Sequence, residues 1–222
     1  MNRHFDEELD GLNSDILKMG FFAQEAIHKS VEALKNRDRA LAESVISSDV
    51  LVDELELAID EKCLDLIARH QPVADDLRFI TTGMKLNAEL ERIADIALDI
   101  SQRVLELADK PLLKPLVDIP LLTTLSKSMV KMAIDAFVNK DIEAAKKVLL
   151  SDSQADSLRN RIQKELVEEY MIKDISTIPR AIQLLLIARF LERICDHTTN
   201  IAEDVIYMVQ AKVVRHHPEK LP

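Results

Sequence analysis

Apolar residues recur at every third or fourth position through most of the chain, a spacing that predicts long amphipathic helices. Asp38 follows the first apolar run and is suited to capping the next helix with its side chain. Pro72 is expected to end that second helix, because proline removes a backbone donor and disfavours the α conformation of the preceding residue. The helices predicted for this first half of the chain are 7–35, 39–70 and 75–108.

The rest of the chain repeats this plan after a break that is rich in proline. Pro111, Pro115 and Pro120 fall within eleven residues and indicate a linker. Asp141 takes the capping position that Asp38 has in the first half, and Pro179 suits the first turn of a helix. The predicted helices are 121–138, 142–171 and 179–213. The predicted division is a first bundle over 1–109, a linker over 110–120, a second bundle over 121–214 and a frayed tail over 215–222.

The two halves also match residue by residue. Leu90–Asp95, which reads LERIAD, returns as LERICD at Leu191–Asp196, 101 residues later. Nine upstream residues return 103 residues later, and Ala33, Asp49 and Asp53 among them match Ala136, Asp152 and Asp156. Such long and similar offsets indicate a duplicated half and not a short repeat array. We predict an all-α fold of two tandem three-helix bundles, six long helices in total, related by pseudo-twofold symmetry.

Composition supports this prediction and narrows the function. Only three of the 222 residues are glycine and 4% are aromatic, so tight β-turns are few and the core is aliphatic. The formal net charge of −10 disfavours nucleic acid as a partner, since phosphate binding depends on clustered Lys and Arg. Cys63 and Cys195 are expected to be core thiols in a reducing compartment. The polar N-terminus and the short apolar runs predict a cytoplasmic protein without membrane insertion.

Acidic pairs at i and i+4 recur at matched positions in both halves. Two carboxylates at this spacing share a helix face and repel each other unless a cation lies between them. Their oxygen atoms suit Mg²⁺, Mn²⁺, Ca²⁺ or iron. A single such pair is usually a solvated surface, but the recurrence favours a metal site. The candidate metal ligands are Asp49, Asp53, Glu91, Asp95 and Asp99 in the first half and Asp152, Asp156, Glu192, Asp196 and Glu203 in the second.

Catalytic alternatives find little support in the sequence. A di-iron bundle requires Glu-x-x-His on two helices. Glu25 and His28 have this spacing, but Lys131 stands at the counterpart of His28. Phosphate-binding loops, nucleophile elbows and Cys/His metal spacings are absent from the sequence. We therefore expect a protein that is not an enzyme.

The repeated helix resembles the signature of a known family. The segment LERICDHTTNIAE, residues 191–203, is similar to the signature helix of the PhoU family of phosphate-transport accessory proteins. Residues 90–95 match the same signature, and QPVADDLR, residues 71–78, is similar to the family's connection into that helix. The resemblance extends from about Phe5 to Tyr207.

This resemblance implies a negative regulator of phosphate uptake and of phosphate-starvation signalling. Its implied partners are the ATPase subunit of the phosphate ABC transporter and a membrane sensor histidine kinase. Attachment at the inner membrane would then be peripheral and through these partners. Iron or zinc clusters on E/DxxxD motifs are a further implication, and they would fall on the acidic pairs given above. We also expect a homodimer.

The halves differ at some of these positions, and two other functions stay open. Asn200 stands where the first half has Asp99, and Phe190 stands where it has Glu89. The two sites are therefore expected to differ in affinity or metal count. A metal-binding or storage bundle and a structural adaptor with solvated acids are the alternatives to a regulator.

Overall fold

The computed structural model describes residues 3–213, and within them the chain folds as helices joined by short turns. The predicted frayed tail at 215–222 lies outside the described residues. The helices are α1 Arg3–Asn36, α2 Arg39–His70, α3 Ala74–Leu107, α4 Asp118–Asn139, α5 Ile142–Glu165 and α6 Ile178–Gln210. A π-helical segment, Leu166–Met171, continues α5, and a 3₁₀ turn, Ile175–Thr177, precedes α6. None of the helices within 3–213 is long and apolar enough to cross a membrane.

The predicted pair of three-helix bundles is confirmed, with α1–α3 forming one half and α4–α6 the other. The halves meet where α3 packs along α6 and α1 packs along α4. Within the described residues α2 contacts only α1 and α3, and its counterpart α5 packs on α4 and α6. The second helix of each half is therefore on the outside of the molecule.

The corner between the first and second helices is built identically in the two halves. Arg37 and Lys140 take a left-handed conformation, with φ of 56° and 53°, and no glycine is used. The next residue in each half is an aspartate that caps the following helix. Asp38 accepts a hydrogen bond from the backbone of Leu41, and Asp141 accepts from two backbone N–H groups of the next turn. The predicted capping role of both aspartates is confirmed.

The core is aliphatic and continuous across both halves, as the composition predicts. Phe79 of α3 stacks on Phe137 of α4, with ring centroids 4.9 Å apart, and ties the halves together. Cys63 and Cys195 are free, buried thiols, as predicted. Burial raises the pKa of both thiols to about 12, so they stay protonated and unreactive.

Several predicted helix limits differ from the observed ones. Helix α1 begins at Arg3, four residues before the predicted start, and α4 begins at Asp118. Pro120 therefore lies in the first turn of α4, where no backbone donor is needed. The predicted helix 142–171 leaves the α conformation after Glu165. Helix α6 ends at Gln210 because Ala211 is left-handed, with φ of 55°.

Candidate functional site

Each half has one acidic cluster, which lies between its second and third helices. The first acidic face comprises Asp49 and Asp53 of α2 with Glu91 and Asp95 of α3, and the second acidic face comprises Asp152 and Asp156 of α5 with Glu192 and Asp196 of α6. The carboxylates act on each other across the helices: Asp95 on Asp49 in the first face, and Glu192 on Asp152 in the second. The structure thus brings the eight acids of the predicted pairs into two clusters.

These acids stand at the edge of the buried helix faces, which explains why they are held together. Val52 on α2 and Ile93 and Ala94 on α3 are buried next to the acids of the first face. Packing of these apolar side chains fixes the two helices side by side. The carboxylates beside them are therefore partly withdrawn from water and close to like charges.

Glu91 carries the clearest electrostatic signature of the first acidic face. Burial, followed by the charges of Asp95, Glu56 and Asp53, raises the pKa of Glu91 to about 7. Burial and the charges of Asp53 and Asp95 likewise raise the pKa of Asp49. The surrounding protein therefore does not fully offset the negative charge near Glu91 and Asp49.

Arg92 is a basic side chain that contacts the first acidic face. Arg92 donates a hydrogen bond to Asp95 at 3.1 Å, and its Nε atom lies 3.5 Å from an oxygen of Glu91. Its charge lowers the pKa of Glu91, but by less than burial and Asp95 raise it. Its side chain is 63% exposed, so water screens its charge. Arg92 therefore offsets little of the repulsion among the acids.

The second acidic face shows the same kind of perturbation at a different residue. Burial, followed by the charge of Glu192, raises the pKa of Asp196 to about 6, and Asp152 and Asp156 contribute in the same direction. Burial is also the main cause of the raised pKa of Asp152.

Arg159 distinguishes the second acidic face from the first. The Nη2 atom of Arg159 lies 3.0 Å from an oxygen of Glu192 and 3.5 Å from an oxygen of Asp156, and so it bridges α5 and α6. The counterpart of Arg159 in the first half, 103 residues earlier, is Glu56. The second face thus contains a cation where the first face has a further acid. The sequence analysis missed this exchange, although alignment of the two halves carries the signal.

Two predicted ligands do not join the clusters. Asp99 lies two turns beyond Glu91 on α3, and Glu203 lies two turns beyond Asp196 on α6; both are half-buried. Neither is among the carboxylates that raise the pKa values of the acidic faces.

A polar cluster that is separate from the two acidic faces joins the two halves. The sequence analysis did not identify it. Glu89 of α3 lies 2.6 Å from Nδ1 of His197 on α6, and Asn200 donates to the same carboxylate at 3.4 Å. The asymmetry at Glu89 and Asn200 that the sequence displays therefore serves the contact between halves. Phe190 and Ile96, the counterparts of Glu89 and His197, offer no such pair.

The donor chemistry of the acidic faces favours metal binding, whereas the positions of their side chains do not. Oxygen donors with unbalanced negative charge fit a hard cation, and the first acidic face has both properties. In residues 3–213, however, no group of three or more His, Cys, Asp or Glu side chains converges closely enough to hold an ion. Metal binding would require these side chains to change rotamer.

Comparisons with known proteins agree with the duplicated architecture. The family model described as the PhoU domain matches residues 16–104 and again residues 119–205. The phosphate-specific transport system accessory protein PhoU of Escherichia coli is 34% identical over 220 residues, which cover 97% of this chain and 91% of that protein. The PhoU homolog of Aquifex aeolicus is 39% identical over 210 residues, 95% of each chain.

Solved structures show the same fold. The crystal structure of PhoU from Pseudomonas aeruginosa superposes with a TM-score of 0.88 and 35% identity, covering 94% of this chain and 100% of the other. The phosphate transport system regulatory protein PhoU from Streptococcus pneumoniae gives a TM-score of 0.87 at 30% identity, covering 95% and 99%.

Proposed function

The chain belongs to the PhoU family, and from this premise we propose that it is a cytoplasmic negative regulator of phosphate uptake and phosphate-starvation signalling. The observation that carries the proposal is identity of 34–39% over nearly the full length to proteins named phosphate-specific transport accessory proteins. It acts by contact and not by catalysis, on the ATPase subunit of the phosphate transporter and on the sensor histidine kinase. The regulator works as a homodimer that reaches the membrane through these partners.

Deletion of the gene tests the regulatory role. Phosphate uptake and alkaline phosphatase activity in phosphate-rich medium should both rise in the deletion strain, because restraint is lost. Complementation with the wild-type chain should return both to the starting level. Unchanged uptake and phosphatase activity would refute the proposal.

Metal support is the finer part of this proposal. Asp49, Asp53, Glu91 and Asp95 would hold a cation that offsets carboxylate repulsion and stiffens the packing of α2 on α3. The excess of acids at Glu91, expressed in its raised pKa, favours this role over a solvated surface. Iron, zinc, magnesium and manganese are the candidates, and the second acidic face would bind more weakly because Arg159 already lies between its acids.

Metal analysis of protein purified without a His-tag tests this part by itself. We expect Glu91→Gln with Asp95→Asn to remove most of the bound metal, and Glu192→Gln with Asp196→Asn to remove less. Equal loss from both pairs would contradict the asymmetry. Metal-free wild-type protein that still restores regulation would favour the adaptor, whereas metal release without a phosphate phenotype would favour the storage bundle.

A further inference from the structure

The outer surface of α2 carries a row of exposed aliphatic side chains. Val50, Leu57 and Leu64 are 55%, 62% and 58% exposed and lie seven residues apart, hence on one side of the helix. Helices α1 and α3 cover the opposite side of α2. We call these three residues the α2 stripe.

The internal duplication shows that the fold does not need the α2 stripe. Ser153 and Asn160 of α5 are the counterparts of Val50 and Leu57, and both are exposed polar residues; Val167, the counterpart of Leu64, is half-buried in the π-helical segment. Helix α5 packs on its own half as α2 does, without an aliphatic row at these positions. Exposed aliphatic side chains contribute nothing to the free chain in water, so the stripe indicates a surface that another molecule covers.

The charge around the α2 stripe restricts what can cover it. Helix α2 carries eight acidic and three basic side chains, whereas α5 carries four acidic and five basic ones. Glu54 and Glu61 are exposed and alternate with the stripe residues along the helix. A second copy of α2 would place acids against acids, which disfavours self-association through this face.

We propose that the α2 stripe binds a basic amphipathic helix of a partner protein. Apolar side chains of the partner, spaced at three and four, would pack between Val50, Leu57 and Leu64. Flanking Lys and Arg would pair with the acids of α2, in the manner of charges beside a coiled-coil seam. The proposal goes beyond phosphate regulation and does not depend on it.

A binding assay with the full chain and a synthetic peptide tests the proposal. The peptide is an amphipathic helix with Leu at the seam positions and Lys at the flanking positions, labelled with fluorescein. We expect Leu57→Gln with Leu64→Gln to weaken its binding at least about tenfold, since two buried aliphatic contacts are lost. The matched control is Leu150→Gln on α5, a residue 72% exposed in the other half, which should leave binding within about twofold of wild type.

The remaining outcomes separate the proposal from its rivals. The same peptide with Glu at the flanking positions should not bind the wild-type chain. Binding of both peptides, failure of the Lys peptide to bind, or equal binding by the double variant would overturn the proposal. Analytical ultracentrifugation decides the last rival: self-association abolished by the double variant would make a second copy the occupant. A homodimer that persists in the double variant agrees with the proposal.

Discussion

Glu91 and Glu192 occupy equivalent positions, yet their surroundings differ in charge. Glu91 faces Asp53, Glu56 and Asp95, and its pKa is raised to about 7. Glu192 accepts a hydrogen bond from Arg159 at 3.0 Å. A single exchange between duplicated positions, Glu56 for Arg159, therefore gives Glu91 and Glu192 different electrostatic surroundings, although both faces contain acids with raised pKa values.

Substitution of Glu91 by Gln should stabilise the protein in a pH-dependent way. The folded state holds the Glu91 proton up to about pH 7, whereas the unfolded chain loses it near the ordinary value of 4.5. The folded state thus binds more protons in this window, so the free energy of unfolding falls as pH rises through it and stays lower above it. The free energy of unfolding of Glu91→Gln is expected to exceed that of the wild type by about 1 kcal/mol at about pH 8 and to differ little from it at about pH 5. The gain is smaller than the full pKa shift implies, because Glu91 is partly exposed and water screens its charge.

Urea unfolding in a chelating buffer measures this effect, and Glu192→Gln is its matched control. That substitution removes the negative charge that pairs with Arg159, so it should lower stability at about pH 8 by up to about 1 kcal/mol. Changes of the same sign in both variants would show that Arg159 does not distinguish the two faces.

At this scale the sequence predicts which acids cluster but not how their charge is balanced. The acids at i and i+4 follow directly from helix periodicity, so their grouping on faces could be foreseen. The bridge from Arg159 to Glu192 could not, because it depends on how α5 is rotated against α6. The same holds for the contact between Glu89 and His197, which requires the packing of one half on the other.

Among the elements, the turn from α5 to α6 is where the halves differ most. The first half ends α2 at Gln71, which is left-handed with φ of 48°, and α3 begins three residues later. The second half instead widens into a π-helical turn over Leu166–Met171 and then a 3₁₀ turn. Lys114 of the linker, a buried lysine, pairs with Glu165 at the start of the π-helical turn.

Helical periodicity explains which elements can be predicted from the sequence. Long apolar rows at a spacing of three and four specify α-helices, and Asp38, Pro72 and Asp141 specify where they begin or end. A π-helical turn has no such local signal, since it arises from the fit between neighbouring helices. The repeat offset falls from 103 to 101 residues between Leu55 and Leu90, which shows a segment two residues shorter in the second half but does not indicate a π-helical turn.

The two capping aspartates provide a test at the scale of the element. Asp38→Ala and Asp141→Ala should each lower the free energy of unfolding by about 1 kcal/mol, because the first leaves one backbone N–H of a first turn without its side-chain acceptor and the second leaves two. Thermal and urea unfolding measure the loss. Asp38→Asn keeps an acceptor oxygen and should cost much less than Asp38→Ala. Equal loss in the two Asp38 variants would assign the effect to charge instead of capping.

For the whole molecule, the duplication predicts two bundles but not how they meet. The repeat implies a pseudo-twofold relation, and the family match at 16–104 and 119–205 follows it. The meeting surface is α3 on α6 and α1 on α4, with Phe79 stacked on Phe137. The apolar rows of α1 and α3 fit either the core of a half or the contact between halves, so periodicity does not separate the two.

Gly20 lies where α1 of one half packs tightly on α4 of the other, and it gives the test at this scale. It is buried on α1, and a Cβ added there would overlap Cδ1 of Ile134 on α4. Alanine at a helical glycine ordinarily gains about 1 kcal/mol, but overpacking costs about 1–3 kcal/mol. We therefore expect Gly20→Ala to destabilise the wild-type chain by about 1 kcal/mol.

Ile134→Val removes the Cδ1 atom with which a Cβ at position 20 would overlap, and so it should reverse the effect of Gly20→Ala on stability. In that background Gly20→Ala should stabilise the protein, since the helix propensity of alanine is then realised without the clash. The double-mutant cycle, measured by urea unfolding, is expected to give a coupling of at least about 1 kcal/mol. Additive effects of the two substitutions would mean that the Cδ1 atom of Ile134 does not limit the packing of α1 on α4.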